Sequence, residues 1–222
     1  MEFVVLYVLL PLTSIIGLTF IIERAFALRW RKVVPLEVEG AVESCQTRED
    51  VPLLRRLCEQ HPSPMSRLLT LAADHLDWPK AEAVDAVQTR ARHEIARLER
   101  GLVVLEIIVG IAPLLGLVGT ILGMIAVFSN VGQAGLTDPS KLAGGIAYIL
   151  RATLWGLLIA IPSLVFWSYY SKKVETFAVE METLCDEFVR RQYRDEVENP
   201  KSEIRNPKSK APPPIPSPVE AR

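Results

Sequence analysis

Three apolar runs divide this chain. Residues Phe3–Ile22 carry no charge, Leu102–Phe128 is broken only by Glu106, and Leu142–Tyr169 only by Arg151. About 20 apolar residues, rising about 1.5 Å each, cross a hydrocarbon layer of about 30 Å, so every run can span a bilayer. Lipid offers no partner to a backbone N–H or C=O, so each run should be a helix. Elsewhere apolar residues recur at helical spacing. Leu53, Leu54 and Leu57 form one short amphipathic segment, and Met65, Leu68, Leu69, Ala72 and Leu76 another, with Pro52, Pro62, Pro64 and Pro79 as punctuation. From Lys80 the positions Ala81, Val84, Val87, Ala91, Ile95, Leu98 and Leu102 continue with no Pro or Gly before Gly101, which predicts one rod running into the second span. The third span should likewise continue past Lys173 through Val174, Phe177, Met181, Leu184 and Phe188. The predicted fold class is an all-α membrane protein: three transmembrane helices, with long helices extending into a cytoplasmic helical domain.

Charge sharpens this division. Half of the 222 residues are hydrophobic and the formal net charge is −1, so no field points towards nucleic acid. Residues 23–101 hold 13 basic and 13 acidic side chains and residues 169–222 hold 10 of each, leaving five charges for the 89 residues of the apolar stretches. A soluble globular enzyme does not segregate charge in this way. Arg24, Arg29, Arg31 and Lys32 follow the first run, Arg97 and Arg100 precede the second, and Lys172 and Lys173 follow the third. Positive flanks face the cytoplasm, so the N-terminus is expected outside and both large polar regions inside. A signal peptide cleaved near Ala25-Phe26-Ala27 is the alternative for the first run. Its length, the acidic Glu2 and the cationic stop-transfer flank speak against it. The expected organisation is span 1 at 1–23, a cytoplasmic helical region at 24–101, span 2 at 102–128, an outer loop at 129–141, span 3 at 142–169, a helical extension at 170–197 and a tail at 198–222. The tail carries seven of the 16 prolines and repeats Asn-Pro-Lys-Ser at Asn199 and Asn206, a composition that cannot bury a core and should stay disordered.

The polar regions offer no reaction chemistry. Cys45, Cys58 and Cys185 lie in segments expected in a reducing compartment, and their spacing fits no metal site. There is no phosphate loop, dinucleotide fingerprint or nucleophile elbow, so neither cofactor nor covalent catalysis is expected. The chemistry lies in the membrane. Ala112, Gly116, Gly119, Gly123 and Ala126 are spaced 4, 3, 4 and 3 apart, a seam that lets another backbone approach closely. Thr153, Gly156, Ala160 and Ser163 share one face of the third span. Glu106, Pro113 and Thr120, seven apart, lie near one face of the second. Counted from span midpoints at Gly116 and Gly156, Thr120 and Thr153 lie about 6 and 4.5 Å outward, a matching depth. They could line one polar path, or each could bond a carbonyl of its own helix. Glu106 lies about 15 Å inward of the midpoint and Arg151 about 7.5 Å outward, so they should not pair within one chain. Intramembrane charges are functional candidates by default, with snorkelling to the interface as the alternative. Asp138 and Pro139 fit the start of the third span, and Pro162 should bend its inner part.

These residues carry a resemblance. Ile111-Ala-Pro-Leu-Leu-Gly-Leu-Val-Gly-Thr-Ile-Leu-Gly-Met124 is similar to the signature of the MotA/TolQ/ExbB proton channel family. Asp138–Ile146 and Ala152–Pro162 resemble its third span, and Ile22–Arg29 the end of its first. Three spans point to the TolQ/ExbB branch, since the flagellar stator branch has four. The resemblance implies an inner-membrane pentamer around a dimer of single-span partners of the ExbD/TolR type, with a TonB- or TolA-like protein beyond. There, proton flow through a partner Asp drives work on outer-membrane transport or envelope integrity. Thr120 and Thr153 match the threonines of the family's ion path, and Pro113 and Pro162 its helix-bending prolines. Many members carry a Glu five residues before the second threonine, where this chain has Tyr148. A phenol with an ordinary pKa of about 10 would not carry protons as a carboxylate does. The rival reading is a non-conducting membrane scaffold.

Overall fold

The computed structural model describes residues 8–134 and 139–198. Among these the chain is helical and no strand occurs. The helices are α1 (Leu10–Ala27), α2 (Trp30–Val33), α3 (Leu36–Ser44), α4 (Val51–Gln60), α5 (Pro64–Asp74), α6 (Lys80–Glu99), α7 (Leu102–Ala134) and α8 (Pro139–Glu198), with a 3-10 turn at Arg48–Asp50. Three helical stretches are long and apolar enough to cross a membrane: Leu10–Ala27, Leu102–Ser129 and Leu142–Arg194. Glu2, Asp138 and the Pro-rich tail lie outside the described residues. The described residues form two compact units, one from 8–33 with those of 92–180, the other from Val34–Ala91 with 181–198.

In the first unit, α7 and α8 pack together and α1 joins them. Ala112 is fully buried, beside Ile108 and Ala160. A Cβ on Gly17 of α1 would stand 3.4 Å from Ile108 Cδ1 and 3.5 Å from Ser163 Oγ, so the three spans meet there in ordinary contact. The Tyr170 hydroxyl donates to the Ile21 carbonyl at 3.0 Å, and the Trp30 and Phe177 rings pack 5.1 Å apart. Pro113 and Pro162 each stand inside a helix, where each removes one backbone donor. Most other apolar side chains of the spans are exposed, among them Ile15, Leu114, Ile125, Leu154 and Val165, as a lipid-facing surface requires.

The second unit is a small helical cluster with an apolar core. Met65, Leu68, Leu69 and Ala72 of α5 and the following Leu76 are buried, as their spacing predicts. The α8 stripe that runs from Val174 in the first unit through Met181, Leu184 and Phe188 is buried throughout. Helix ends are closed by side chains. Ser63 caps α5 by accepting the Ser66 N–H at 3.0 Å, with Pro64 in its first turn. The Asp50 carboxylate accepts from the Thr47 N–H at 3.1 Å, the Thr47 hydroxyl at 3.0 Å and the Gln46 N–H at 3.2 Å. Arg191 donates to the Val42 and Glu43 carbonyls at 3.3 and 3.1 Å in the last turn of α3, and Tyr193 to the Trp78 carbonyl at 2.7 Å.

Three expectations from periodicity are corrected. The rod from Lys80 into the second span is broken at Arg100–Gly101, where the Arg24 guanidinium fills the space a side chain on Gly101 would need. In α4 the buried stripe is Val51, Leu54 and Cys58, while Leu53 is exposed. Ten residues of helix admit both stripes, and the docking of α4 on its neighbours selects one. In α6 the buried positions are Ala83, Val87 and Glu94, and Ala81 faces outward. The Glu94 carboxylate lies 3.4 Å from Arg97 Nη1, a charged partner that makes its burial affordable.

Candidate ion-pathway site

The α7–α8 crossing is built on absent side chains. A Cβ on Gly116 would lie 2.9 Å from the Ala152 carbonyl oxygen and 3.0 Å from Thr153 Cα. A Cβ on Gly156 would lie 2.6 Å from the Ala112 carbonyl oxygen and 3.2 Å from Gly116 Cα. Gly123 receives the Ile149 side chain, which a Cβ there would meet at 2.6 Å. Gly119 is buried in the same seam, and Ala126 is half-buried. Ala112, Gly116, Gly123 and Gly156 thus lie in the contact surface of a close helix pair. Ala152 and Ile149 supply the opposing surface and do not stand out in the sequence, because nothing in an apolar run marks which Ala or Ile meets a glycine.

One hydroxyl lies at this crossing, and a second stands one turn beyond Gly116 on α7. Thr153 Oγ1 of α8 reaches the Gly116 carbonyl of α7 at 3.4 Å, a long bond across the helix pair. Thr120 Oγ1 donates to the Leu117 carbonyl of its own helix at 2.7 Å. Gly116 and Leu117 are neighbours, so both hydroxyls are anchored at one level of α7, about one residue rise apart. Thr120 makes the own-helix bond that spacing allowed as the alternative to a shared polar path, whereas Thr153 bonds the facing helix, an arrangement spacing did not offer. Thr120 also shares an outward, open helix face with Ile121, Met124, Ile125 and Phe128, uncovered among the described residues. Pro113 is half-buried one helical heptad before it.

Glu106, Arg151 and Tyr148 are exposed. Among the described residues neither Glu106 nor Arg151 has an ion-pair partner. No group of three or more His, Cys, Asp or Glu side chains converges among the described residues. The crossing and the turn beside it offer hydroxyls and carbonyls, groups of the kind that can pass an ion or water along a wall. Sequence reasoning missed Gly17, the point where the first span joins the pair, and Arg24, which lies at the foot of α7; a lone Gly in an apolar run was the available signal for the first.

Three helices long and apolar enough to span a membrane, two of them meeting through glycines with a hydroxyl at the crossing, define a multi-pass helical membrane protein. Its kind follows from comparison with known proteins. The sequence profile described as the MotA/TolQ/ExbB proton channel family matches residues 60–183, and the chain belongs to that family. It is 32% identical over 184 residues to an ExbB-like biopolymer transport protein of Synechocystis sp., covering 79% of this chain and 71% of that one. It is 30% identical over 169 residues to an ExbB homolog of biopolymer transport from Methanothermobacter thermautotrophicus, covering 75% of this chain but 60% of that protein's length. With the biopolymer transport protein ExbB of Aquifex aeolicus it shares 29% identity over 108 residues, 49% of this chain and 72% of that one.

Proposed function

We propose that this chain is the ion-conducting subunit of an ExbB/TolQ-type motor in the inner membrane. Five copies surround a dimer of a single-span partner of the ExbD/TolR type, and ion-motive force is converted into work on a TonB- or TolA-like protein. The N-terminus faces the periplasm and the C-terminus the cytoplasm. Thr120 and Thr153 line the ion path, Pro113 and Pro162 shape it, and proton transfer rests on an acid of the partner, since Tyr148 stands where a carboxylate would serve. The observation that carries this reading is the pair of threonine hydroxyls anchored on adjacent carbonyls of α7, one of them on an open helix face. Native mass spectrometry of the chain, alone and co-expressed with a single-span protein of the ExbD/TolR type, is the test. Five copies with two partner copies are expected, and a stable monomer that ignores the partner overturns the reading.

A non-conducting scaffold is the second reading. It is favoured by the fact that both hydroxyls already hold backbone carbonyls, which gives them a structural task. Under it, Thr120→Val and Thr153→Val alter stability and no ion moves.

A further inference from the structure

One half-buried cation has a task that the ion-path residues do not explain. The Arg24 side chain, at the inner end of α1, is only 12% exposed and pairs through Nη2 with Glu23 at 2.7 Å. Its Nη1 donates at 3.1 Å to the Leu98 carbonyl, in the last turn of α6. A cation there also meets the negative end of the α6 dipole. The same guanidinium fills the space before Gly101, which is itself buried; a Cβ on that glycine would collide with Arg24 Nε and Cζ and stand 2.7 Å from Nη2. At this point α6 stops at Glu99 and α7 starts at Leu102. The broken helix, the carbonyl taken by another helix, and the glycine that makes room coincide, although the periodicity on either side favours an unbroken rod.

We propose that Arg24 and Gly101 are positioning residues, a keyed joint that holds α6 and α7 apart as two helices and sets the direction in which α7, with Thr120, leaves its inner end. Arg24 holds the break, and Gly101 admits it. Only the flux readout below rests on the conducting role proposed above.

The test is a four-variant cycle: wild type, Arg24→Ala, Gly101→Ala and the double variant, with Arg24→Lys as a milder probe that keeps charge without the planar fork. Spin labels at the exposed positions Arg92 and Ile107 report the distance across the joint in detergent. Proteoliposomes of the full assembly report flux per reconstituted channel. Gly101→Ala is expected to lower flux at least tenfold when Arg24 is present and to cost nothing further when it is absent. The label distance should change in Arg24→Ala and in the double variant towards that of a continuous helix, with Arg24→Lys between. Equal effects of Gly101→Ala in both backgrounds, or one label distance in all variants, would overturn the joint. If wild type itself carries no flux, the conducting role fails and the label distances alone decide the joint.

Discussion

Replacing Gly156 by Ala adds one methyl group at the tightest backbone approach between α7 and α8. That carbon would lie 2.6 Å from the Ala112 carbonyl oxygen and 3.2 Å from Gly116 Cα. Ordinary contact needs about 0.8 Å more, and the obstacle is backbone, so no rotamer change relieves it. Overpacking of this kind costs about 1–3 kcal/mol, and a backbone obstacle places it near the upper end. Ala gains about 1 kcal/mol over Gly in helix propensity. The net is about 2 kcal/mol of destabilisation, roughly a 30-fold shift in the folding equilibrium. Gly110→Ala is the control, because a Cβ there meets nothing within 4 Å and only the propensity gain applies. Unfolding in mixed micelles, followed by far-UV circular dichroism against SDS fraction, measures both. Gly156→Ala should unfold at lower SDS fraction than wild type and Gly110→Ala at an equal or higher one. Equal stability of Gly156→Ala and wild type would refute the idea that the absent side chain builds the crossing.

The polar unit carries its own predictions. Hydrogen bonds from Thr47, backbone first and then side chain, and from Gln46 hold the Asp50 carboxyl below its ordinary pKa. Its contribution is therefore present above the unfolded pKa and lost as pH falls through the folded one, so Asp50→Asn should destabilise at pH 7 and match wild type in strong acid, read by thermal melts across pH. Arg191→Ala leaves the Val42 and Glu43 carbonyls without their donor and should cost about 1–3 kcal/mol, measured by chemical denaturation; Arg191→Lys should recover part of this. Burial raises the Cys45 thiol to about 11 and also raises Cys58. With Cys185 buried as well, maleimide at pH 7.4 should label none of the three in folded protein and all three after denaturation, counted by mass spectrometry.

What was legible in the sequence follows from which forces act locally. The three spans were legible because lipid enforces helix and a charge-free run together. The seam was legible because Gly recurring at 4 and 3 in an apolar helix gives up propensity without local return, which signals a partner. The stripes of α5 and of the inner half of α8 were legible because large apolar residues fall on one face only. The break at Gly101 was not, because the Arg24 side chain packed there is distant in sequence and adjacent in space. The α4 face was ambiguous because Leu53 and Val51 fit helical stripes equally well. Glu94 escaped notice because an acid in an amphipathic helix reads as surface until its neighbours are placed. At the candidate site, spacing brought Thr120 and Thr153 to one depth, but only the assembled helix pair distinguishes a bond within α7 from one reaching it across the crossing.

Ion flux through reconstituted channels is the most direct measurement of the central proposal. Proteoliposomes carrying the chain with its single-span partner, loaded with a pH-sensitive dye and given an imposed potential, should acidify along the gradient. Thr120→Val and Thr153→Val remove the hydroxyls at nearly constant volume, and each should lower the rate at least tenfold while the oligomer on native mass spectrometry is unchanged. Acidification at the wild-type rate in both variants would contradict a path lined by these threonines, and its absence in wild type would contradict conduction itself.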